Sequence, residues 1–193
     1  LNPPTTNYKI QESRRLGGDE REWDDMEQKA PNMPRAAVAA EDANIRLQRG
    51  LHDTAIREAN DAGGSRGAST ISQQVVKNVY LWHGRSWIRK VLEAGMTPLV
   101  EALWSKRRIL EVYLNVAEFD EGVFGVEAAA QHYFGVDAAS LSNTQAARLA
   151  AILPDPKGRS ASKPSSFVRK RAGQILDGAA TIRADGRARC FQS

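Results

Sequence analysis

Residues 67–78 read GASTISQQVVKN, and within them a hydroxyl, an amide and an ammonium recur at helical spacing: Thr70, Gln74 and Lys77 fall at i, i+4 and i+7. Such a row offers several hydrogen-bond donors and one fixed positive charge, which suits an anionic, hydroxyl-rich ligand. The plain alternative is the solvated face of an amphipathic helix. Two acidic features lie to either side. Glu41 and Asp42 follow an alanine-rich run and are expected near the C-terminal end of a helix, where the dipole disfavours a carboxylate. They are either a solvated turn or a carboxylate of raised proton affinity kept as a general base. Glu93 follows Arg89 and Lys90, so it is either a surface i−4 ion pair or part of a charged site.

The elements that must carry these groups are legible as helices. Residues 1–30, with Pro3-Pro4 and Gly17-Gly18, read as a loop-rich arm tethered by Trp23. A helix starts at Pro34, a residue suited to the first helical position. Residues 60–67 (NDAGGSRG) form a loop leading to a helix that opens with the capping box Thr70/Gln73 and buries Ile71, Val75 and Val79. From Ser86 to Trp104 the pairs Trp87/Ile88, Val91/Leu92, Leu99/Val100 and Leu103/Trp104 predict a helix packed along its apolar side, interrupted at Gly95 and Pro98. Lys106, Arg107 and Arg108 open the next helix, with Ile109, Val112, Tyr113 and Val116 buried. An acidic, glycine-bearing connection follows at 115–125, then a helix near 127–134. Ser142/Gln145 caps a further helix stopped by Pro154 and Pro156. After Ser165 and Ser166 the last helix turns Val168, Ala172, Ile175, Ala179 and Ile182 inward and Arg169, Lys170 and Arg183 outward. No segment alternates as a strand should.

At 193 residues, 41% apolar and 26% charged, the chain suits one soluble globular domain and has no run long enough to span a bilayer. It begins at Leu1, which leaves room for an upstream signal or anchor. The single Cys190 excludes an internal disulfide framework. The net charge of +4 is unevenly spread: residues 157–193 hold nine Lys/Arg against two Asp/Glu, and residues 1–60 nine against eleven. With the cluster Arg85, Arg89, Lys90, Lys106, Arg107 and Arg108, this favours an anionic partner such as phosphate or an acidic lipid surface. Aromatic interleaving is too sparse for nucleic acid.

Five ordered blocks resemble the peptidoglycan glycosyltransferases, most closely the monofunctional biosynthetic transglycosylases, whose domain also occurs in class A penicillin-binding proteins. They are Glu41-Asp42 with Gly50 downstream; residues 67–78; Arg89-Lys90 with Glu93; KRRILEVYLNVAEFDEGVFGVEAAAQHYFG at 106–135; and AARLAAILPDP at 146–156. The openings NPPTT and PNMPRAAVAAED extend the likeness to residues 2–182. The resemblance implies an all-α, lysozyme-like, two-lobed helical domain with a loop-rich N-terminal arm, divided as arm 1–30, glycosyltransferase domain 31–185 and C-terminal tail 186–193. It implies polymerisation of lipid II into β-1,4-linked glycan strands with release of undecaprenyl pyrophosphate, and inversion at the reacting carbon.

On this resemblance Glu41 is the general base that takes the acceptor hydroxyl proton, as the chemistry of a weak sugar nucleophile requires. Glu93 matches the second catalytic glutamate, beside the leaving pyrophosphate. Asp42, Thr70, Gln74, Lys77, Arg85, Arg89 and Lys90 match or adjoin substrate-binding positions. A pyrophosphate leaving group needs its charge neutralised, by cations and optionally a divalent metal, Mg2+ or Mn2+. No protein metal ligand is expected. The implied partners are lipid II, the growing lipid-linked glycan, the bacterial cytoplasmic membrane surface and proteins of wall synthesis or division. The implied location is the inner membrane, with the catalytic domain on its periplasmic side and the anchor upstream of this chain. Departures stand at Ile45, where the family carries an aromatic residue, at Gln48, where it carries His, and at Ala68, where it usually has Gly; the first two bear on the level of activity. Two other readings remain: a non-catalytic scaffold that binds lipid II or glycan, and a lysozyme-like glycan-cleaving enzyme, whose leaving sugar oxygen would need an acid.

Overall fold

The computed structural model describes the backbone of residues 23–50, 70–82 and 86–192, and the side chains of all of these except 42–50 and 192. The described residues fold as an all-α domain. In chain order the helices are α1 (Asn32–Gly50), α2 (Ile71–Tyr80), α3 (Trp87–Leu103), α4 (Lys106–Val116), α5 (Val126–Phe134), α6 (Asn143–Ile152), α7 (Ser166–Ala184) and a short α8 (Arg189–Gln192), with 3-10 turns at Met26–Gln28 and Ala138–Ser140.

The main lobe is built on α4. Residues Ile109 to Val116 are buried on every side of that helix, Glu111 and Asn115 included. Helix α1 supplies the small residues Ala36, Ala37, Ala39 and Ala40, all buried, and packs against α6 and α7. Gly178 of α7 lies against Ala39 so closely that a Cβ there would sit 3.1 Å from the alanine methyl. That close approach needs small residues on both helices.

The N-terminal segment 23–30 is fastened to this lobe. Asn115 accepts from the Asp24 amide at 3.0 Å and donates to the Asp24 carbonyl at 2.9 Å, while Arg108 lies over the rings of Trp23 and Trp104. Arg107 pairs with Glu27 and Arg108 with Glu111. Two of the three cations opening α4 therefore serve internal partners.

Helix α2 starts as its sequence predicts: Thr70 accepts from the Gln73 amide and Gln73 reciprocates. Its deepest residues are Val75 and Val76, with Ile71 and Val79 half-buried. Helix α1 departs from expectation, because it begins at Asn32, holds Pro34 within its first turn and runs on to Gly50. Glu41 is thus mid-helix, and the dipole argument for it lapses. The reason is local: Ala43, Arg46, Leu47, Gln48 and Arg49 are helix formers, and glycine ends the run.

Two further differences bear on function. Helix α3 is continuous through Gly95 and Pro98, and it is turned over. Trp87, Ile88, Val91, Leu92, Leu99 and Leu103 are exposed, whereas Glu93, Thr97 and Val100 are buried. The second difference is a small antiparallel hairpin, Glu118–Asp120 with Val123–Phe124, in the acidic connection. It is too short for alternation to show, and it depends on Gly122 and Gly125, whose φ values of 77° and 88° suit glycine.

Candidate active site

Glu41 projects from the middle of α1 towards α2 and α4. Its Oε1 accepts from Gln74 Nε2 at 3.0 Å, and the Tyr113 hydroxyl donates to Gln74 Oε1 at 3.4 Å. Three elements therefore meet at one carboxylate. Burial pushes the Tyr113 hydroxyl well above the usual tyrosine range, and the Glu41 charge adds to that. The phenol stays protonated and can act as a donor.

A second cluster lies between α2 and α3. Glu93 is 2% exposed. Arg89 Nη1 meets its Oε2 at 2.9 Å and Lys90 Nζ its Oε1 at 2.7 Å, while Thr97 donates to the Glu93 carbonyl at 2.6 Å. Lys77 reaches the same region from α2. Burial lowers its proton affinity, the Glu93 charge opposes that shift, and Arg89 and Lys90 add to it. Three cations thus surround one anion, a surplus of positive charge at the cleft that would attract and neutralise a leaving phosphate.

Two hollows border helix α2. A cavity of about 910 Å3 at its first turn is lined by Glu41, Thr70, Ile71, Trp104, Lys106 and Phe191. A smaller one of about 210 Å3 further along is lined by Gln74, Lys77, Tyr113, Glu118 and Pro154. The row expected on α2 is divided accordingly. Thr70 caps the helix and borders the larger space, Gln74 turns to Glu41, and Lys77 joins the α3 cluster. The side chain of Asp42, those of Ile45 and Gln48, and Arg85 and Ala68 lie outside the described residues.

The donor set does not favour a protein-held metal. Among the described residues no three His, Cys, Asp or Glu side chains gather in a metal-binding group, and both oxygens of Glu93 are engaged by cations.

Two residues were not legible as site residues. Tyr113 reads as one member of an apolar stripe. Arg171 is not among the residues assigned to either face of α7 from the sequence, and it lies three residues after Val168 and four before Ile175, on the buried face. A charge on an apolar face is the signal that marks it.

An all-α fold with a carboxylate in a cleft beside a cationic cluster defines the class: a lysozyme-like glycosyltransferase domain. The transglycosylase family model matches residues 8–180. A biosynthetic peptidoglycan transglycosylase of Jannaschia sp. (strain CCS1) is 62% identical over 188 residues, covering 97% of this chain and 79% of the relative. One of Caulobacter vibrioides is 46% identical over 192 residues, covering 97% and 84%. One of Pseudomonas aeruginosa is 53% identical over 160 residues, covering 81% and 69%. The chain belongs to the transglycosylase family and is an enzyme.

Proposed function

We propose that the protein is a peptidoglycan glycosyltransferase that polymerises lipid II into β-1,4-linked glycan, with residues 31–185 as its glycosyltransferase domain. Glu41 takes the proton of the acceptor hydroxyl as that oxygen attacks the donor's anomeric carbon from the face opposite the departing pyrophosphate. The bond to pyrophosphate breaks, and the configuration inverts. The proton goes to the carboxylate and the electron pair leaves with undecaprenyl pyrophosphate, so no acid is needed on the leaving oxygen. Lys77, Arg89 and Lys90 meet the charge that develops there, with Arg85 and Asp42 as further substrate-side residues and Thr70 at the cleft edge.

The observation that carries this reading is the contrast between the two glutamates. Glu93 has a cation on each oxygen and so organises charge. Glu41 is oriented by the Gln74 amide and lines the larger cavity, where an acceptor hydroxyl can reach its carboxylate.

The exposed apolar side of α3 supports a membrane-surface location. At 100° per residue, Trp87, Val91, Ile88, Leu99, Leu92 and Leu103 span an arc of roughly 160°, opposite buried Glu93 and Thr97. No helix among the described residues is long and apolar enough to cross a membrane. This face instead lies on the periplasmic leaflet of the bacterial inner membrane, where lipid-linked donor and acceptor are presented.

Incubating purified lipid II in detergent with the parent and with Glu41→Gln tests the assignment by gel separation of products. Long strands are expected from the parent, and at least a thousandfold less from the variant. Lipid II that is bound but never polymerised would favour the scaffold reading, and shortened glycan the cleaving one.

A further inference from the structure

We infer that Arg171 is a positioning residue for the catalytic base, a buried cation that fixes the backbone at Glu41 and favours its ionised form. This rests on the assignment of Glu41 as base.

Arg171 is only 6% exposed, and its Nη2 donates at 3.0 Å to the carbonyl of Ala40, the peptide group immediately before Glu41. A helical carbonyl has a second lone pair, so the guanidinium can bind there without displacing the helix's own hydrogen bond. The contact joins residues 131 apart in sequence and exists because α1 and α7 approach so closely. A buried arginine is costly, and an apolar residue would fill the same space at less cost. Its retention on the inward face of α7 therefore calls for a charge that it serves.

Glu41 is one such charge. Burial, then the neighbouring Arg159, disfavour a proton on Arg171, and Glu41 acts in the opposite sense. Coupling between two sites is reciprocal, so whatever Glu41 does for the guanidinium, the guanidinium does for the carboxylate. Among the described residues, other groups face Glu41 from different elements. Gln74 on α2 is neutral, and Tyr113 on α4 remains protonated. Glu101 of α3, Lys106 of α4 and the C-terminal Arg187 and Arg189 line the adjoining cavity, where they are open to solvent and screened. Arg171 is a buried cation on the α7 side of Glu41.

Polymerisation rates from lipid II, measured across pH for the parent, Arg171→Lys and Arg171→Gln, test the inference. Gln can hydrogen-bond the Ala40 carbonyl without the charge, and Lys keeps the charge without the planar fork. The acid limb of kcat is expected about one pH unit higher for Gln, the order of shift that removing a nearby opposite charge produces. It is expected within about 0.3 unit of the parent for Lys, with KM within twofold throughout. Substrate ionisations are common to all three chains and cancel. A folded Gln variant with an unmoved limb overturns the inference. If Gln does not fold, Lys decides: a retained limb supports the charge role, and one raised by a unit refutes it. A parent that makes no polymer at any pH refutes the transferase reading instead.

Discussion

The amide of Gln74 has two ends, and its neighbours decide which of them Glu41 meets. A carboxylate can only accept, so it takes the NH2 end; a protonated phenol donates, so Tyr113 takes the oxygen. Gln74, a member of the polar row on α2, hydrogen-bonds Glu41. Tyr113→Phe removes one hydroxyl from a site that is otherwise unchanged. A single neutral hydrogen bond is worth about 0.5–1.5 kcal/mol, so kcat is expected to fall roughly twofold to tenfold. KM should stay within twofold and the melting temperature within a few degrees. Steady-state kinetics on lipid II checks this, and a raised KM at constant kcat would mean that the hydroxyl touches substrate instead.

Among the elements, α3 shows how far a pattern can be read. Its period was legible, and so was its length; which side faced inward was not. Hydrophobic periodicity reports an apolar arc but not the medium that covers it, so apolar pairs at four-residue intervals read equally as a core face or a lipid face. Glu93 is buried for the same reason. It lies opposite the apolar arc, and Arg89 and Lys90 pair with its two oxygens. The capping boxes at Thr70 and Ser142 were legible because capping is local chemistry. The Arg171 contact was not, since no local rule connects positions 131 apart. If the exposed face of α3 meets lipid, Val91→Asp and Leu99→Asp together should weaken binding to phosphatidylglycerol vesicles at least tenfold, because each exposed aliphatic side chain contributes about 1–3 kcal/mol on burial. Both side chains are exposed, so the melting temperature should hardly move. Vesicle co-sedimentation separates this from electrostatic adsorption, which 0.5 M salt would abolish and apolar insertion would survive.

At the scale of the whole molecule, the N-terminal segment that Asn115 and Arg107 fasten to α4 holds a buried lysine, and this gives stability an alkaline signature. Lys29 is 4% exposed, and its Nζ donates to the carbonyls of Asp24 at 2.6 Å and Asp25 at 3.5 Å. Burial lowers its pKa from 10.5 to about 8, despite opposing pulls from Asp24, Glu111, Asp25 and Glu127. Below pH 8 the lysine is charged in both folded and unfolded chains, and the fold carries the full desolvation penalty. Between pH 8 and 10.5 the unfolded chain binds more protons than the folded one, so stability rises with pH. The rise amounts to about 3.5 kcal/mol at most, taking about 1.4 kcal/mol per pH unit. Above about pH 10 the raised proton affinities of Tyr113 and Tyr133 act the other way, because the unfolded tyrosines ionise first. The gain is therefore confined to pH 8–10. Urea unfolding of the parent and of Lys29→Met at pH 7.5, 9 and 10 isolates it, since both chains share every other titrating group. The parent is expected to gain roughly 2–3 kcal/mol relative to Lys29→Met across that range. Parallel pH profiles would mean that Lys29 keeps its proton in the fold, and that the acids around it offset its burial completely.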